Sequence, residues 1–362
     1  MECLWKETFG DSDAYIKLIF ENYFSPDNIA VYEYNGAIGA AILGIPYEFS
    51  AKGVSLKGLY LCGISTLKNL RGRGIMTTLL NEINNKAKKE DYDFSFLIPS
   101  SESNRNFYKE RGYHDSFFKL RNHFVRIHNF KENITLSVKP YDRLKEEETL
   151  KFLFSSQGGK NEAFNLIHTL KDWQLILKEA EISEEPVYIA EKNERVVGVA
   201  FCKKTKEEDG YDVIEVKEIV SDEKDVILSL LHKIKTDYPD SGIDLIRNIE
   251  RDGLGNRDEQ IWSPFFARNN APEAEYEDIS EQERPVERAL NAYSYGMVRI
   301  FDIRGLLHKI HTEENNNSIA GYSDEELIKI VLRHPMVEGK KDELEKLLDL
   351  PRLSLNMSLM LD

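Results

Sequence analysis

A string of strand, turn, strand, strand and helix patterns occurs twice in this chain, and that recurrence narrows its folds more than any single motif. Ile29-Ala30-Val31-Tyr32-Glu33-Tyr34 alternates loosely, reaches Asn35-Gly36, and resumes as Ala37-Ile38-Gly39-Ala40-Ala41-Ile42-Leu43. Asn-Gly suits the positive φ angles of a type I′ turn, so two antiparallel strands are expected. A further strand, Leu59–Thr66, leads through a Gly-rich turn to the helix-patterned Ile75–Ile83. Downstream, Val187–Glu191 passes through Lys192-Asn193-Glu194-Arg195 into Val196–Phe201, followed by Val213–Val220 and Val226–Ile234. The shared order argues for duplication of one mixed α/β unit. The turns before the two helices differ: Leu70-Arg71-Gly72-Arg73-Gly74 in the first unit, Ser221-Asp222-Glu223-Lys224-Asp225 in the second.

A length of 362 residues is more than one core usually spans, which fits two such units and a third region. The stretch from Arg268 to Glu287 carries Asn269-Asn270, two prolines and a dense acidic run, and reads as an exposed connection. Boundaries at 1–130, 131–283 and 284–362 are expected on this reading. In the third region Gly296–Asp302 reads as a strand and Ile303–Ile310 as a helix; Asn315–Ser318 breaks the pattern, and Asp324-Glu325-Glu326 opens a helix through Leu332. The tail, from Leu353 through Leu361, is mostly apolar up to Asp362 and is expected to be buried.

A net charge of −15 works against nucleic acid and anionic lipid and attracts cationic ligands. The start has no basic segment followed by an apolar one, and no stretch approaches the ~18 apolar residues of a membrane span, so a cytoplasmic protein is expected. Cys3, Cys62 and Cys202 are odd in number and far apart, which suits reduced thiols and neither a disulfide framework nor a metal site. His308 and His311, at i and i+3, read as a solvated helix face.

The sharpest local feature is Arg71-Gly72-Arg73-Gly74-Ile75-Met76, between a strand and the first turn of a helix. Glycines there let the backbone turn tightly and aim successive N–H groups at one anion, where the helix dipole adds its positive end. The spacing is not that of a Walker loop, and Gly72-x-Gly74 lacks the third glycine of a dinucleotide fingerprint, so a different phosphate ligand is needed.

Together with Phe107-Tyr108-Lys109-Glu110-Arg111-Gly112-Tyr113, the strand 59–66, this turn and the helix carrying Leu79-Leu80 resemble the GCN5-related N-acetyltransferases over about the first 125 residues. That superfamily binds acetyl-coenzyme A through an R/Q-x-x-G-x-G/A turn, which Arg71-x-x-Gly74-x-Met76 matches except for Met76. Two such units and a region entered through Met297-Val298-Arg299-Ile300-Phe301-Asp302 look more narrowly like the enhanced-intracellular-survival acetyltransferases, whose third domain is sterol-carrier-like; here it is abbreviated between His311 and Tyr322.

The resemblance implies an α/β fold of tandem acetyltransferase units with a small sterol-carrier-like domain, and transfer of acetyl from acetyl-coenzyme A to an amine. It also implies the parts. Tyr108 would be the acid that protonates the coenzyme A sulfur, and the carboxylate at Asp362 the base. Ile64 and Thr66 would pair their backbone with pantetheine, on a strand splayed from its neighbour. Arg71, Gly72, Arg73, Gly74, Ile75 and Met76 would hold the pyrophosphate. The second unit, lacking that turn, would bind no coenzyme A. A duplicated acyltransferase with another donor is an enzymatic alternative; a coenzyme A- or lipid-binding regulator without turnover is the non-enzymatic one. The charge suits a polycationic amine, while the acceptor's identity and any homo-oligomer stay open.

Overall fold

The computed structural model of the protein describes residues 1–51, 53–157, 165–207, 210–221, 223–248, 292–310 and 322–332. They form a mixed α/β fold that divides into two units. Among the described residues the first unit takes 1–117, the strand at 165–167 and everything from 294 on; the second takes the rest.

The first unit opens with helices α1 (Glu2–Phe9) and α2 (Asp13–Tyr23). It continues through strands β1 (Ile29–Tyr34), β2 (Ala37–Ala51) and β3 (Val54–Thr66), helix α3 (Ile75–Lys89), strand β4 (Phe94–Leu97), helix α4 (Glu102–Lys109) and the start of strand β5 (His114–Phe124). Asn35 (φ 52°) and Gly36 (φ 76°) turn β1 into β2 as the Asn-Gly pair predicts. β1, β2 and β3 are antiparallel, whereas β3 and β4 run parallel. α3 packs Leu79, Leu80, Ile83 and Ala87 against Ala40, Ile42, Leu59 and Leu61, a spacing of apolar residues that gives the helix one buried face.

Two irregularities set the end of β3 apart from an ordinary sheet strand. Its ladder with β4 runs from Gly58↔Phe94 to Tyr60↔Phe96, yet the strand itself continues to Thr66, so its last six residues extend beyond the paired stretch. It also carries a bulge. Ala41 partners Ser65 and Leu43 partners Cys62, which leaves Ile42 facing both Gly63 and Ile64. The extra residue shifts the in–out alternation, and Leu61 and Ile64 both reach the cluster beneath α3.

The second unit holds the end of β5, strand β6 (Ser137–Pro140), helix α5 (Glu146–Ser156), helix α6 (Leu170–Ile182), strands β8 (Val187–Lys192), β9 (Arg195–Lys206) and β10 (Asp212–Val220), helix α7 (Lys224–Asp237) and strand β11 (Gly242–Asn248). Its element order repeats that of the first: a hairpin turned by Asn193 and Glu194, both at positive φ, then a strand, a helix and a parallel strand. β10 even slips register against β9 at Lys217. The short β7 (Asn165–Ile167), by contrast, pairs with β2 of the first unit.

In β12 (Ala292–Ile300), Met297–Ile300 pair antiparallel with Leu97–Phe94 of β4, and Met297 enters the cluster beneath α3. Lys309 reaches Asp93 Oδ1 at 2.6 Å, and Phe301 N–H donates to Asp93 O. From Ser294 on, the described residues group with the first unit: β4 has a second edge, whose backbone groups need partners. The helices Ile303–Ile310 and Asp324–Leu332 have the bounds read from the sequence. The Arg268–Glu287 connection, the Asn315–Ser318 break and the tail through Asp362 lie outside the described residues. Among the described residues no helix is long and apolar enough to cross a membrane.

Candidate active site

The turn after β3 is assembled by local bonds. Leu67 N–H donates to Gly39 O at 2.9 Å, a single 3₁₀ turn comes next, and Leu70 buries its side chain. The chain then emerges as the exposed Arg71–Gly74. Gly72 (φ 74°) and Gly74 (φ 75°) are left-handed, and a Cβ on either would meet nothing within 4 Å. Backbone conformation, and not space, calls for glycine here. Gly74 caps α3 without a side-chain hydrogen bond, and the helix has no acidic residue in its first turn. Its free N–H groups and positive dipole end thus face outward beside two exposed arginines, which is the chemistry of an anion cradle. Arg71 Nε donates to Thr66 O at 3.0 Å, which anchors the guanidinium to the end of β3.

Tyr108 is buried on α4, edge-on to Phe107 and Tyr113 with ring centroids 5.4 and 5.8 Å away. It belongs to the cluster formed by α3, β2 and β3, against which Ile64, Ile75 and Met76 also pack. Four of the residues expected from the sequence therefore converge: Ile64, Ile75, Met76 and Tyr108. Met76, partly buried, packs its side chain against this core. Burial pushes the Tyr108 hydroxyl above the usual tyrosine range, and Tyr113 adds to the effect while Arg111 opposes it. The group is protonated at neutral pH, as an acid must be. Asp362, the expected base, lies outside the described residues.

Several residues that position α4 were not singled out from the sequence. Arg111 lays its guanidinium over the Phe107 ring, 3.5 Å from the centroid, and donates from Nε to Thr77 Oγ1 at 2.9 Å, tying the end of α4 to the first turn of α3. Arg105 and Lys109 both reach Asp115 on β5, and Arg105 also donates to Ser294 O at 2.9 Å. Tyr113 is fully buried and bonded to Ser95 Oγ (2.9 Å) and Asn84 Nδ2 (3.1 Å), fastening β4 to α3. Arg111 and Tyr113 sit inside the Phe107–Tyr113 segment that marked Tyr108. Their partners are distant in sequence and carry no local signal.

In the second unit Ser221 Oγ donates to Val197 O, and Glu223 and Asp225 stand at the start of α7, where the first unit has arginines. A polar cluster lies on β5 and β11. Asp244, fully buried, accepts from Arg121 Nε at 2.7 Å, with His123 Nδ1 2.8 Å from its other oxygen. Glu207 lies near enough for His123, Glu207 and Asp244 to resemble a metal triad. Both Asp244 oxygens are already engaged, however, and a cation would have to displace a guanidinium, so the group reads as a compensated buried carboxylate.

Residues 2–115 match the family model described as an acetyltransferase (GNAT) domain. That stretch is similar to acetyltransferase (GNAT) domains. Comparison with curated proteins gave no significant match. Solved structures of similar fold include a probable N-acyltransferase of Enterococcus faecalis (TM-score 0.59, 14% identity) and a GCN5-related N-acetyltransferase of Anabaena variabilis (0.56, 13%). Eis1 of Mycobacterium abscessus is similar as well (0.53, 12%). In each case the match covers 85% of this chain and 71% of the other. At such identities the likeness is one of fold.

Proposed function

We propose that the chain is an acetyl-coenzyme A-dependent N-acetyltransferase with one active site, in its first unit, and an amine as acceptor. The observation that supports this most is a conjunction: an uncapped, arginine-flanked α3 N-terminus, a β3 segment extending past its partner, and a buried, protonated tyrosine belong to the same GNAT-type unit. The backbone of Gly72–Met76 with Arg71 and Arg73 takes the pyrophosphate, and Ile64 and Thr66 pair with pantetheine as a neighbouring strand would. The amine, of ordinary pKa ~10, must lose a proton before it attacks. Asp362 is the proposed base. As the C–N bond forms and the C–S bond breaks, Tyr108 gives its proton to the departing sulfur. The acidic start of α7 repels phosphate, so the second unit takes no coenzyme A. A charge of −15 favours a cationic amine, polycationic ones included, as the acceptor class.

The test is a melting curve. Acetyl-coenzyme A at ~100 times its Kd stabilises the folded state by about 2.7 kcal/mol and raises Tm. Gly74→Glu sets a carboxylate against the phosphates and abolishes the rise, whereas Gly74→Ala, which meets the same backbone constraint without the charge, keeps most of it. An undiminished rise in a folded Gly74→Glu protein would move the donor site elsewhere.

A further inference from the structure

Gly63 is the residue that makes the β3 bulge, and it is not alone there. A Cβ built on it would lie 2.2 Å from Trp5 Cζ3 and 2.6 Å from Cε3. The indole of α1 thus rests on the glycine's Cα, in the space a side chain would fill. Its far end is held too: Trp5 Nε1 donates to Asp11 Oδ2 at 2.7 Å, and the ring packs against Phe9 and Phe20 with centroids 5.4 and 5.7 Å away. Only 6% of Trp5 is exposed. On the strand side, Ser65 Oγ donates to Gly63 O at 3.1 Å and closes the bulge from within.

A bulge is a choice of register, and a one-residue slip sends every later side chain and carbonyl to the other face. Here the choice decides whether Ile64 and Thr66, or their neighbours, take the positions that end at the Arg71 anchor. Glycine at φ 58° has little preference of its own to keep that choice, since it visits many conformations equally. A large ring clamped over it supplies the preference.

We propose that Trp5 is a positioning residue for the acyl donor: it pins the Gly63 bulge and thereby aims the Ile64–Thr66 backbone at the pantetheine arm. The inference rests on the donor site proposed above. It separates two halves of that site, because the nucleotide end of coenzyme A needs the Gly72–Gly74 turn and not the bulge.

The experiment compares acetyl-coenzyme A with 3′-phosphoadenosine 5′-diphosphate, its nucleotide half, by calorimetry on the full chain. In Trp5→Leu, acetyl-coenzyme A is expected to bind ~10-fold or more weakly, the equivalent of about two lost backbone hydrogen bonds, while the nucleotide binds as in the unaltered protein. Trp5→Phe, which keeps a ring over Gly63, restores most of the loss. Gly63→Ala, which drives a methyl into the indole, reproduces the Trp5→Leu pattern. Equal weakening of both ligands would overturn the proposal in favour of a general structural role, and no weakening of either would overturn it outright. Failure of the unaltered protein to bind either ligand would instead remove the donor site itself, and the proposal with it.

Discussion

Tyr108 shows how much one residue's environment decides. Its ring is packed by Phe107 and Tyr113, and burial raises its hydroxyl pKa, so the neutral, proton-donating form persists across the physiological range. The sign matters: activity that depends on the neutral form is lost as pH rises through the folded pKa, and that pKa lies above the ordinary value of ~10. Turnover should therefore show no loss from this group up to about pH 10. Tyr108→Phe keeps the ring contacts and removes only the proton, so kcat should drop ~10²-fold or more with acetyl-coenzyme A affinity nearly intact. Stopped-flow or steady-state kinetics check both, and a kcat that survives makes the tyrosine structural. Tyr108 was singled out through the family resemblance of its segment, which ends at Gly112 and Tyr113; spacing alone suits a core aromatic equally. Arg111 and Thr77, which hold that segment to α3, were not, because a hydrogen bond between residues 34 apart leaves no periodic trace.

At the scale of elements, α4 is held to β5 through one carboxylate. Burial alone would raise the Asp115 pKa, but hydrogen bonds from Lys109 and Arg105 and their charges outweigh it, and the carboxyl ends below its usual range. A depressed carboxylate pKa contributes stability above the unfolded value, ~3.9, and that stability is lost as pH falls through the folded value. Asp115→Asn should cost about 1.5–3 kcal/mol at pH 7, the range for hydrogen bonds to charged groups. In urea unfolding the gap between the two proteins should shrink as pH is taken below ~4, and a gap independent of pH would contradict this assignment. Local chemistry made several elements readable: Asn35-Gly36 marked its hairpin, and the acidic first turn marked the helix from Asp324. The bulge in β3 was not readable, since Gly63 acquires its meaning from Trp5, on another element.

For the molecule as a whole, the recurring order of strands and helix was visible because each occurrence is built from neighbouring elements, each with its own period and turn. The partner of β4's second edge was not. It comes from β12, about two hundred residues later, and nothing in the string Met297–Asp302 says which edge it will meet. The same holds for β7, which leaves the helices around it to pair with β2. The chemistry proposed for the first unit is tested most directly by measuring free thiol released from acetyl-coenzyme A in the presence of a panel of amines, from simple monoamines to polyamines. The expected result is thiol release that requires an amine, matches acetylated amine one to one, and falls ~10²-fold or more in Tyr108→Phe. Tight binding of acetyl-coenzyme A with no amine-dependent thiol from any member of the panel would contradict it and leave a protein that holds the donor without using it.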